Sequence, residues 1–410
     1  MVVPSPEVCV KCKGRFWCSD KCFILDKFNV RLMAFTRFSS GAVEGLAPPG
    51  VFVSSKSYPK VSFSPLLPVS SDFDPWLSDN SELWFGLPLE NILSFRQSLL
   101  RGSFVVDAKS AVEPSYDVLS VQESLLSSKS VGVEAKLDSL PKPELSFSEF
   151  YAPIGPESRL ESFKIVENVK ANRFIERAFY DFDLKANVAL SELFSKGVGV
   201  SQLSKIFSAG MLGLRKKRVF VPTRWSITAV DSSLSDNLIS EKVKFFSCVD
   251  SFLLFSSNYL GNYYYVIFAP FSWSFELLEV YCPNSSWNFG KEPLIMSDHE
   301  FFGGRSSYAE NTAGGYYAVR LAVSEYLAKV RKQACVIVLR EIREDLPSVG
   351  VWKCREIVRD ALSKKPLEFS SLGLVFAYLE KRLSVPLNFY LKKSVLLDNI
   401  LHQKRIFEFV

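Results

Sequence analysis

A run of 25 residues, 251–275, contains no charged side chain, and how it folds decides whether this is a membrane protein. A helix that spans a bilayer needs about 20 mostly apolar residues, so the length alone permits one. The run also contains five serines, a proline and the pair Gly261–Asn262, and it is rich in Phe and Tyr, which favour strands. We therefore predict consecutive antiparallel strands with a turn at 260–262, and no membrane partner.

Elsewhere in the chain, helices and strands are predicted in an irregular order. Apolar residues recur at three- and four-residue spacings in 312–330, which indicates a helix. Residues 219–282 look strand-like, and 335–339 is typical of a buried strand. Predicted helices cover 89–100, 187–195, 201–209, 312–330, 351–362, 372–383 and 392–401. This order favours an α+β fold of mixed helices and antiparallel sheet over a doubly wound parallel sheet.

A chain of 410 residues has room for two or three domains at about 150 residues each. Residues 103–161 hold ten acidic and five basic residues and contain proline-marked runs at 141–143 and 153–156. Because such runs are typical of linkers, we predict a domain seam there. The predicted segments are a cysteine module (1–31), an N-terminal α+β region with the acidic linker (32–161), a C-terminal α+β domain (162–391) and a C-terminal helix with its tail (392–410).

Charge and histidine content limit the classes of function. The chain has 49 Lys and Arg against 44 Asp and Glu, a net charge of +5 that permits a nucleic-acid partner without requiring one. It has two histidines, His299 and His402, which excludes a histidine-rich metal centre and any catalytic triad that uses neither of them. The first 22 residues lack the apolar core of a signal peptide, so we expect a reducing, cytoplasmic location.

Half of the eight cysteines stand near the start of the chain, in the spacing C-x2-C-x5-C-x3-C formed by Cys9, Cys12, Cys18 and Cys22. Four thiolates suit tetrahedral zinc, and a short segment of this kind would draw most of its folding free energy from the metal. The alternatives are four unrelated reduced thiols or an iron–sulfur cluster, which the spacing does not separate from zinc. We predict a structural zinc site. The cysteines predicted to be core residues are Cys248, Cys282, Cys335 and Cys354.

Basic and aromatic residues are interleaved in the cysteine module, and a second basic run follows the two short helices at 187–209. Cations beside exposed rings can hold phosphates and stack bases. In the module, the alternative is that the aromatic residues cover the metal. In the second run, the alternatives are a solvated loop and a packed indole beside a salt-bridged arginine. The candidate nucleic-acid contacts are Lys13, Arg15, Trp17, Arg215, Lys216, Lys217, Arg218, Arg224 and Trp225.

The last eight residues, 403–410, resemble the sliding-clamp interaction peptide, Gln-x-x-aliphatic-x-x-aromatic-aromatic. Gln403 takes the glutamine position, Ile406 the aliphatic position and Phe409 the first aromatic position, while Val410 stands where a second aromatic residue is usual. A helical turn would place Ile406 and Phe409 on one face for insertion into a hydrophobic pocket. The alternative is an apolar tail that packs on its own domain. We predict that the tail binds the DNA polymerase sliding clamp.

Six stretches spread along the chain carry a wider resemblance. They are VFVSSKSYPKV (51–61), KIVENVKANRFIERAFYDFDLKA (164–186), FSAGMLGLRKKR (207–218), VPTRWSITAVD (221–231), YAENTAGGYYAVRLAVSEYL (308–327) and VGVWKCRE (349–356). Over nearly the whole chain, the sequence resembles the archaeal Nre family of DNA-repair proteins. The resemblance implies a four-cysteine metal domain, a C-terminal clamp-binding peptide and a role in DNA damage repair, but it supplies no chemistry.

Acidic residues offer a weak case for catalysis. Asp298, His299 and Glu300 could hold a divalent cation, with Arg305 near a phosphate. The wider set of candidate carboxylates adds Asp231, Glu341, Glu344 and Glu356. Nothing in the spacing brings these groups together, and surface charges or helix-face ion pairs are the more common explanation. No P-loop or dinucleotide fingerprint is present, so no small-molecule cofactor is predicted.

The sequence therefore predicts a DNA damage repair protein that binds the sliding clamp, contacts DNA through basic surfaces and a zinc module, and associates with the nucleoid when it acts on DNA. Two alternatives remain. One is a metal-dependent, nuclease-like enzyme that acts on damaged or branched DNA, and the other is an RNA-binding protein.

Overall fold

The computed structural model describes residues 4–15, 17–18, 22–26, 28, 41–69, 73–139, 141 and 145–402. The predicted clamp-binding residues Gln403, Ile406, Phe409 and Val410 lie outside the described residues. The chain forms two compact units. The terminal unit combines Met1–Asp26 with Ser235–Val410, and the inserted unit is Lys27–Leu234.

Helices and strands alternate irregularly along the chain, as predicted. The helices are α1 (Pro6–Cys12), α2 (Phe23–Asp26), α3 (Pro75–Ser78), α4 (Leu89–Gln97), α5 (Tyr116–Leu125), α6 (Arg173–Tyr180), α7 (Ala186–Ser195), α8 (Val200–Ser208), α9 (Thr223–Glu241), α10 (Gly314–Val330), α11 (Trp352–Ser363), α12 (Leu372–Leu379), α13 (Leu387–Leu391) and α14 (Val395–His402). The strands are β1 (Ala42–Ala47), β2 (Val51–Ser57), β3 (Lys60–Pro68), β4 (Leu99–Asp107), β5 (Val131–Leu137), β6 (Glu157–Ile165), β7 (Phe252–Tyr259), β8 (Asn262–Ala269), β9 (Ser274–Tyr281), β10 (Leu294–Glu300), β11 (Cys335–Ile342) and β12 (Leu367–Phe369). Short 3-10 turns are Ser81–Leu83, Ala108–Val112, Arg215–Lys217 and Val243–Phe245.

The inserted unit is built on a mixed sheet with the order β1-β5-β6-β4-β3-β2. Its neighbouring strands run antiparallel except for β4 and β6, which run parallel. In β5, Val133, Ala135 and Leu137 face the core while Glu134 and Lys136 face solvent, which is the two-residue period of a half-buried strand. The α+β class is confirmed, but the sheet is mixed rather than purely antiparallel.

The domain seam predicted at 141–156 does not divide the two units. Strand β6 begins at Glu157 and pairs with both β4 and β5, so the acidic stretch 103–161 contributes strands to the centre of one sheet. Pro153 and Pro156 directly precede β6, and charged residues alternate outward along β5 and β6. The units divide instead at 234/235, inside α9.

Helix α9 corrects the prediction that 219–282 is strand-like. The β-branched residues Thr223, Ile227 and Val230 favour strands by propensity. Pro222 stands just before the first turn, where its missing N–H costs no hydrogen bond within the helix. Val230 and Leu234, one turn apart, are both buried. Burial of this apolar stripe outweighs the local strand preference.

The terminal unit is built on a second mixed sheet, with the order β10-β9-β11-β8-β7-β12. Its strands β7 and β8 form an antiparallel hairpin whose turn places Leu260 (φ 45°) and Gly261 (φ 69°) in the left-handed region. The prediction that 251–275 folds into antiparallel strands is therefore confirmed. In the described part of the chain, no helix has both the length and the apolar character needed to cross a bilayer.

Helices cover both faces of this sheet. On one face, Ile337 and Leu339 of β11 share a core with Leu397 and other apolar residues of α12–α14. On the other face, Phe275 of β9 packs edge-on against Tyr316 of α10, with ring centroids 5.0 Å apart. Strand β11 is buried along its whole length, which explains why its first five residues, 335–339, are apolar without alternation.

Candidate functional site

The cysteine module begins with α1, which carries Cys9 and Cys12 one turn apart with both side chains buried. The helix ends at Lys13, whose backbone is left-handed (φ 47°). Cys18 is exposed, and Cys22 is half-buried just before α2. The pKa of the Cys9 thiol is raised to about 12, chiefly by burial and further by negative charge on Cys22, Cys18 and Cys12. The other three cysteines therefore lie close enough to Cys9 to contribute to the raised pKa of its thiol.

Zinc fits the donor chemistry of these four cysteines. A bound cation would turn the repulsion between neighbouring thiolates into attraction and would supply the folding free energy that so short a segment lacks. Across the described ranges, however, no group of three or more Cys, His, Asp or Glu side chains is arranged to hold a metal ion. The residues that would hold zinc are the predicted four cysteines, and the metal is left as a proposal.

Lys13 belongs to a buried ionic network rather than to an exposed surface. Its Nζ donates to Oε2 of Glu279 at 2.6 Å and to the backbone oxygen of Asn311 at 3.2 Å. Oε1 of Glu279 accepts from Nη1 of Arg340 at 2.5 Å, and Oε2 also accepts from the hydroxyl of Tyr281 at 3.1 Å. The phosphate contact predicted for Lys13 is not available in this arrangement, because Glu279 encloses the ammonium group.

Two other residues of the module reach the surface. The indole of Trp17 is 59% exposed, and the guanidinium of Arg15 lies 5.0 Å from the centre of its ring. Nη2 of Arg15 also donates to the backbone oxygen of Glu310 at 3.5 Å. This pair is accessible to a ligand, so the prediction of a nucleic-acid contact at Arg15 and Trp17 stays open.

Asp298 and Glu300, the strongest catalytic candidates, are buried side by side on β10. Oδ2 of Asp298 accepts from the backbone nitrogen of Thr312 at 2.8 Å and from its hydroxyl at 2.9 Å, while Oδ1 accepts from Nη2 of Arg305 at 3.3 Å. Oε1 of Glu300 accepts from Nε of Arg320 at 2.9 Å and from the indole of Trp273 at 3.1 Å. These carboxylates are occupied by internal donors, which is the pattern of a structural network.

Two of the remaining candidate carboxylates, Glu341 and Glu356, also have structural partners. Oε1 of Glu341 accepts from the backbone nitrogen of Val385 at 3.0 Å and from the hydroxyl of Tyr390 at 2.7 Å, so it holds α13 against the sheet. Glu356 pairs with Arg359, one turn along α11, at 2.9 Å. Asp231 is fully buried in the inserted unit, and Glu344 is exposed in the terminal unit.

The basic run 215–218 divides into two kinds of residue. Arg215, Lys216 and Lys217 form an exposed 3-10 turn. Arg218 is buried, and its guanidinium donates to the backbone oxygens of Gly213 at 3.0 Å and Phe179 at 2.7 Å. The nucleic-acid contact predicted for Arg218 is therefore not available, while the first three residues remain candidates.

Arg224 and Trp225 also differ from each other. The guanidinium of Arg224 stacks on the ring of Phe150, 3.8 Å from its centre, and is half-buried. Trp225 is 46% exposed and lies against Tyr58, with ring centroids 5.1 Å apart. Trp225 is thus the more accessible of the two candidates.

Helix α14 leads directly into the predicted clamp-binding tail, and a buried carboxylate fixes its start. Glu276 accepts from the hydroxyl of Ser394, from the backbone nitrogen of Val395 at 2.9 Å and from that of Leu396 at 3.0 Å. The N-terminus of a helix carries partial positive charge, so it attracts the negative carboxylate of Glu276. At the other end of the helix, Leu401 is exposed.

Comparison with known families accounts for almost all of this chain. The model described as "Archaeal Nre, N-terminal" matches residues 17–288, and that described as "Archaeal Nre, C-terminal" matches residues 300–409. The chain belongs to the archaeal Nre family. The family resemblance predicted from the sequence is confirmed. The Nre match includes Cys18, Cys22 and the tail residues Gln403, Ile406 and Phe409.

Three curated Nre relatives align over most of their own length. DNA repair protein NreB of Archaeoglobus fulgidus is 34% identical over 98% of this chain and 100% of the relative. DNA repair protein NreA of the same organism is 38% identical over 88% and 90%. DNA repair protein NreA of Haloferax volcanii is 34% identical over 89% and 88%. No solved structure gives a significant match to this Nre chain.

Sequence reasoning missed several residues that organise the Nre fold. Glu276, Glu279 and Arg340 were not singled out, although each interrupts an apolar strand. A charge inside a run that must be buried is a signal of an internal ion pair or helix cap. Tyr58 was missed for a different reason, since its partner Trp225 lies far away in the sequence.

Proposed function

We propose that this protein acts in DNA damage repair, is recruited by the DNA polymerase sliding clamp through residues 403–410, and contacts DNA through basic surfaces and an N-terminal zinc module. The observation that carries the proposal is the alignment of three proteins named DNA repair proteins over at least 88% of this chain. The location that goes with it is the cytoplasm, at the nucleoid when DNA is bound.

The fold supports the clamp-binding part through α14. Glu276 and the buried residues Leu396 and Leu397 hold the first turn of this helix in the core, while its last residues, Leu401 and His402, are exposed. The chain therefore leaves the described fold at the surface, where a following peptide can reach a partner. Lys404 and Arg405 would steer that peptide towards an acidic surface.

Calorimetric titration of the full chain with the sliding clamp tests this part. Deletion of 403–410 should abolish binding, and Ile406→Ala should weaken it at least tenfold, because the aliphatic side chain would lose its pocket. Leu401→Ala, which changes an exposed residue just before the peptide, is the matched control and should bind like the wild type. Equal affinity of the full and shortened chains would end this part of the proposal.

The enzymatic alternative has less support. The oxygens of Asp298 and Glu300 already accept hydrogen bonds from Thr312, Arg305 and Arg320, whereas a catalytic Mg²⁺ site needs carboxylates with free lone pairs. Turnover of branched or damaged DNA that needs Mg²⁺ or Mn²⁺ and disappears in Asp298→Asn would favour the enzyme over the recruited factor.

A further inference from the structure

Two aromatic rings lie together on the surface of the inserted unit. Tyr58, between β2 and β3, is 53% exposed, and Trp225, in the first turn of α9, is 46% exposed. Their centroids are 5.1 Å apart, with the ring planes inclined at 59°. The backbone nitrogen of Val53 donates to the hydroxyl of Thr223 at 2.8 Å, which ties the two segments together close to the pair. An exposed pair of large rings on a folded unit is a feature of binding surfaces.

Backbone hydrogen bonds bring basic segments beside this pair. The nitrogen of Ala108 donates to the oxygen of Pro59 at 2.8 Å, and the nitrogen of Phe220 donates to the oxygen of Ala108 at 2.8 Å. Segments 56–60, 107–109 and 215–225 are therefore neighbours. The aromatic-basic surface is defined by the exposed residues Lys56, Tyr58, Lys60, Lys109, Arg215, Lys216, Lys217 and Trp225.

The cations of this surface are not neutralised within the fold. The surface has five lysines and one arginine, Arg215. Among the residues that the structure describes, no carboxylate lies within ion-pairing distance of any of these six side chains. The nearby acid, Asp107, uses Oδ1 to accept from the backbone nitrogen of Lys109 at 2.8 Å. The pKa of Arg218 is lowered, mainly by burial and next by the positive charge of Arg215, while the negative charge of Asp181 opposes part of this change. Positive charge is thus concentrated here.

We propose that the aromatic-basic surface binds single-stranded DNA, with unpaired bases stacked on Trp225 and Tyr58 and the phosphates held by the surrounding lysines and Arg215. This inference rests on the proposed contact with DNA and names the form of DNA that is bound. Every base offers a flat face to an aromatic ring, but in a duplex these faces are stacked on one another. Cations alone would hold either form, so the exposed rings are what favours the single strand.

Fluorescence anisotropy with the full chain tests the preference. The probes are a labelled oligothymidine of about 20 nucleotides and a blunt duplex of equal length, in a series of salt concentrations. The wild type should bind the single strand at least about tenfold more tightly than the duplex. Trp225→Ala should lower single-strand affinity about tenfold without changing the slope of affinity against salt, because stacking is uncharged. Lys216→Ala with Lys217→Ala should weaken both forms and reduce the single-strand slope by about 1.4.

Matched variants separate recognition from misfolding. Trp225→Phe keeps a stacking ring and should restore most of the affinity lost in Trp225→Ala. Phe245→Ala and the double change Lys392→Ala with Lys393→Ala alter exposed residues outside the surface and should bind like the wild type. Clamp affinity, which is measured separately, should be the same in Trp225→Ala as in the wild type.

The opposing outcomes are distinct. Equal affinity for the single strand and the duplex, or unchanged single-strand affinity in Trp225→Ala, would overturn this inference and leave DNA contact in the proposed function intact. Absence of binding to either probe would overturn both this inference and the DNA contact, whatever the clamp titration gives.

Discussion

The ammonium nitrogen of Lys13 lies 2.6 Å from Oε2 of Glu279, and both side chains are buried. Glu279 lies on β9 and is shared with Arg340 of β11, so one carboxylate joins the cysteine module to two strands of the sheet. Lys13 directly follows Cys12 in the sequence. The position of the thiols therefore depends on an ion pair in the core of the terminal unit.

Breaking this pair from one side should destabilise the terminal unit. Lys13→Met leaves a buried carboxylate with one cation fewer, and the free energy of unfolding should fall by about 3 kcal/mol. Urea denaturation measures the loss, and limited trypsin digestion should show faster cleavage within the module. Lys11→Met removes an exposed lysine of the same helix and should change stability by less than about 0.5 kcal/mol. Equal effects of the two substitutions would contradict the structural role given to Lys13.

Glu276 should make stability depend on pH. Burial raises the pKa of this carboxyl above its ordinary value of 4.5, and hydrogen bonds from the start of α14 oppose part of the rise. A carboxyl with a raised folded pKa favours folding below its unfolded pKa, and that contribution is lost as the pH rises through the folded pKa. The stability of the wild type relative to Glu276→Gln should therefore fall as the pH rises above the ordinary pKa of 4.5.

Urea unfolding of both proteins at a series of pH values measures this difference. Glu368→Gln changes an exposed glutamate of the same unit and provides the matched comparison. A gap between wild type and Glu276→Gln that stays constant or widens with rising pH would show that the carboxyl does not behave as a buried acid.

Val410 should limit clamp affinity. An aromatic residue at this position would bury more apolar surface in the clamp than valine does, and Val410→Phe should tighten binding by about three- to tenfold. Calorimetric titration compares the two proteins directly. A weaker complex for Val410→Phe would mean that the tail does not occupy the clamp in the manner of the usual peptide.

Zinc content tests the cysteine module. The purified chain should carry about one zinc ion by elemental analysis, and Cys9→Ser with Cys12→Ser should remove it, because two thiolates cannot complete a closed four-ligand site. Cys248→Ser changes a half-buried cysteine outside the module and should retain the metal. If the chain contained iron and sulfide in place of zinc, the module would hold an iron–sulfur cluster. Equal zinc content in both variants would mean that the metal is bound elsewhere.

Substitution of Arg218 should lower stability, whereas substitution of Lys216, two residues away, should weaken DNA binding. Arg218→Ala removes buried hydrogen bonds to Gly213 and Phe179 and should cost about 2 kcal/mol of stability. Lys216→Ala should leave stability unchanged and weaken DNA binding, since its ammonium is exposed. Thermal unfolding and anisotropy on both variants would show whether the basic run has this division of roles.

Local patterns predicted much of this fold, and long-range partners could not be predicted. Helix α10 and the β7–β8 hairpin follow from spacing and turn residues that lie within one segment. Helix α9 was missed because its β-branched residues favour strands locally, while the burial that decides its form comes from the tertiary fold. In the sequence, nothing distinguishes Lys13 from the other basic residues of the module. It is a core residue because it pairs with Glu279, 266 positions later.

The same limit applies to the candidate sites. The four cysteines and the tail became candidates because each is a short pattern with a known spacing. Trp225 was a candidate from the sequence, but its partner Tyr58 was not, because the fold joins two positions that are distant in sequence. Asp298 and Glu300 looked catalytic because their donors, Thr312 and Arg320, lie on a separate segment.

The terminal unit is assembled from both ends of the polypeptide, with 27–234 inserted between its two parts. During synthesis on the ribosome, the inserted unit is complete before any strand of the second sheet has been made. The network of Lys13 with Glu279 and Arg340 cannot be completed until more than three quarters of the chain has been translated. The cysteine segment thus leaves the ribosome well before its partners in the core have been made, so its thiols are exposed to cellular metals and oxidants throughout that interval.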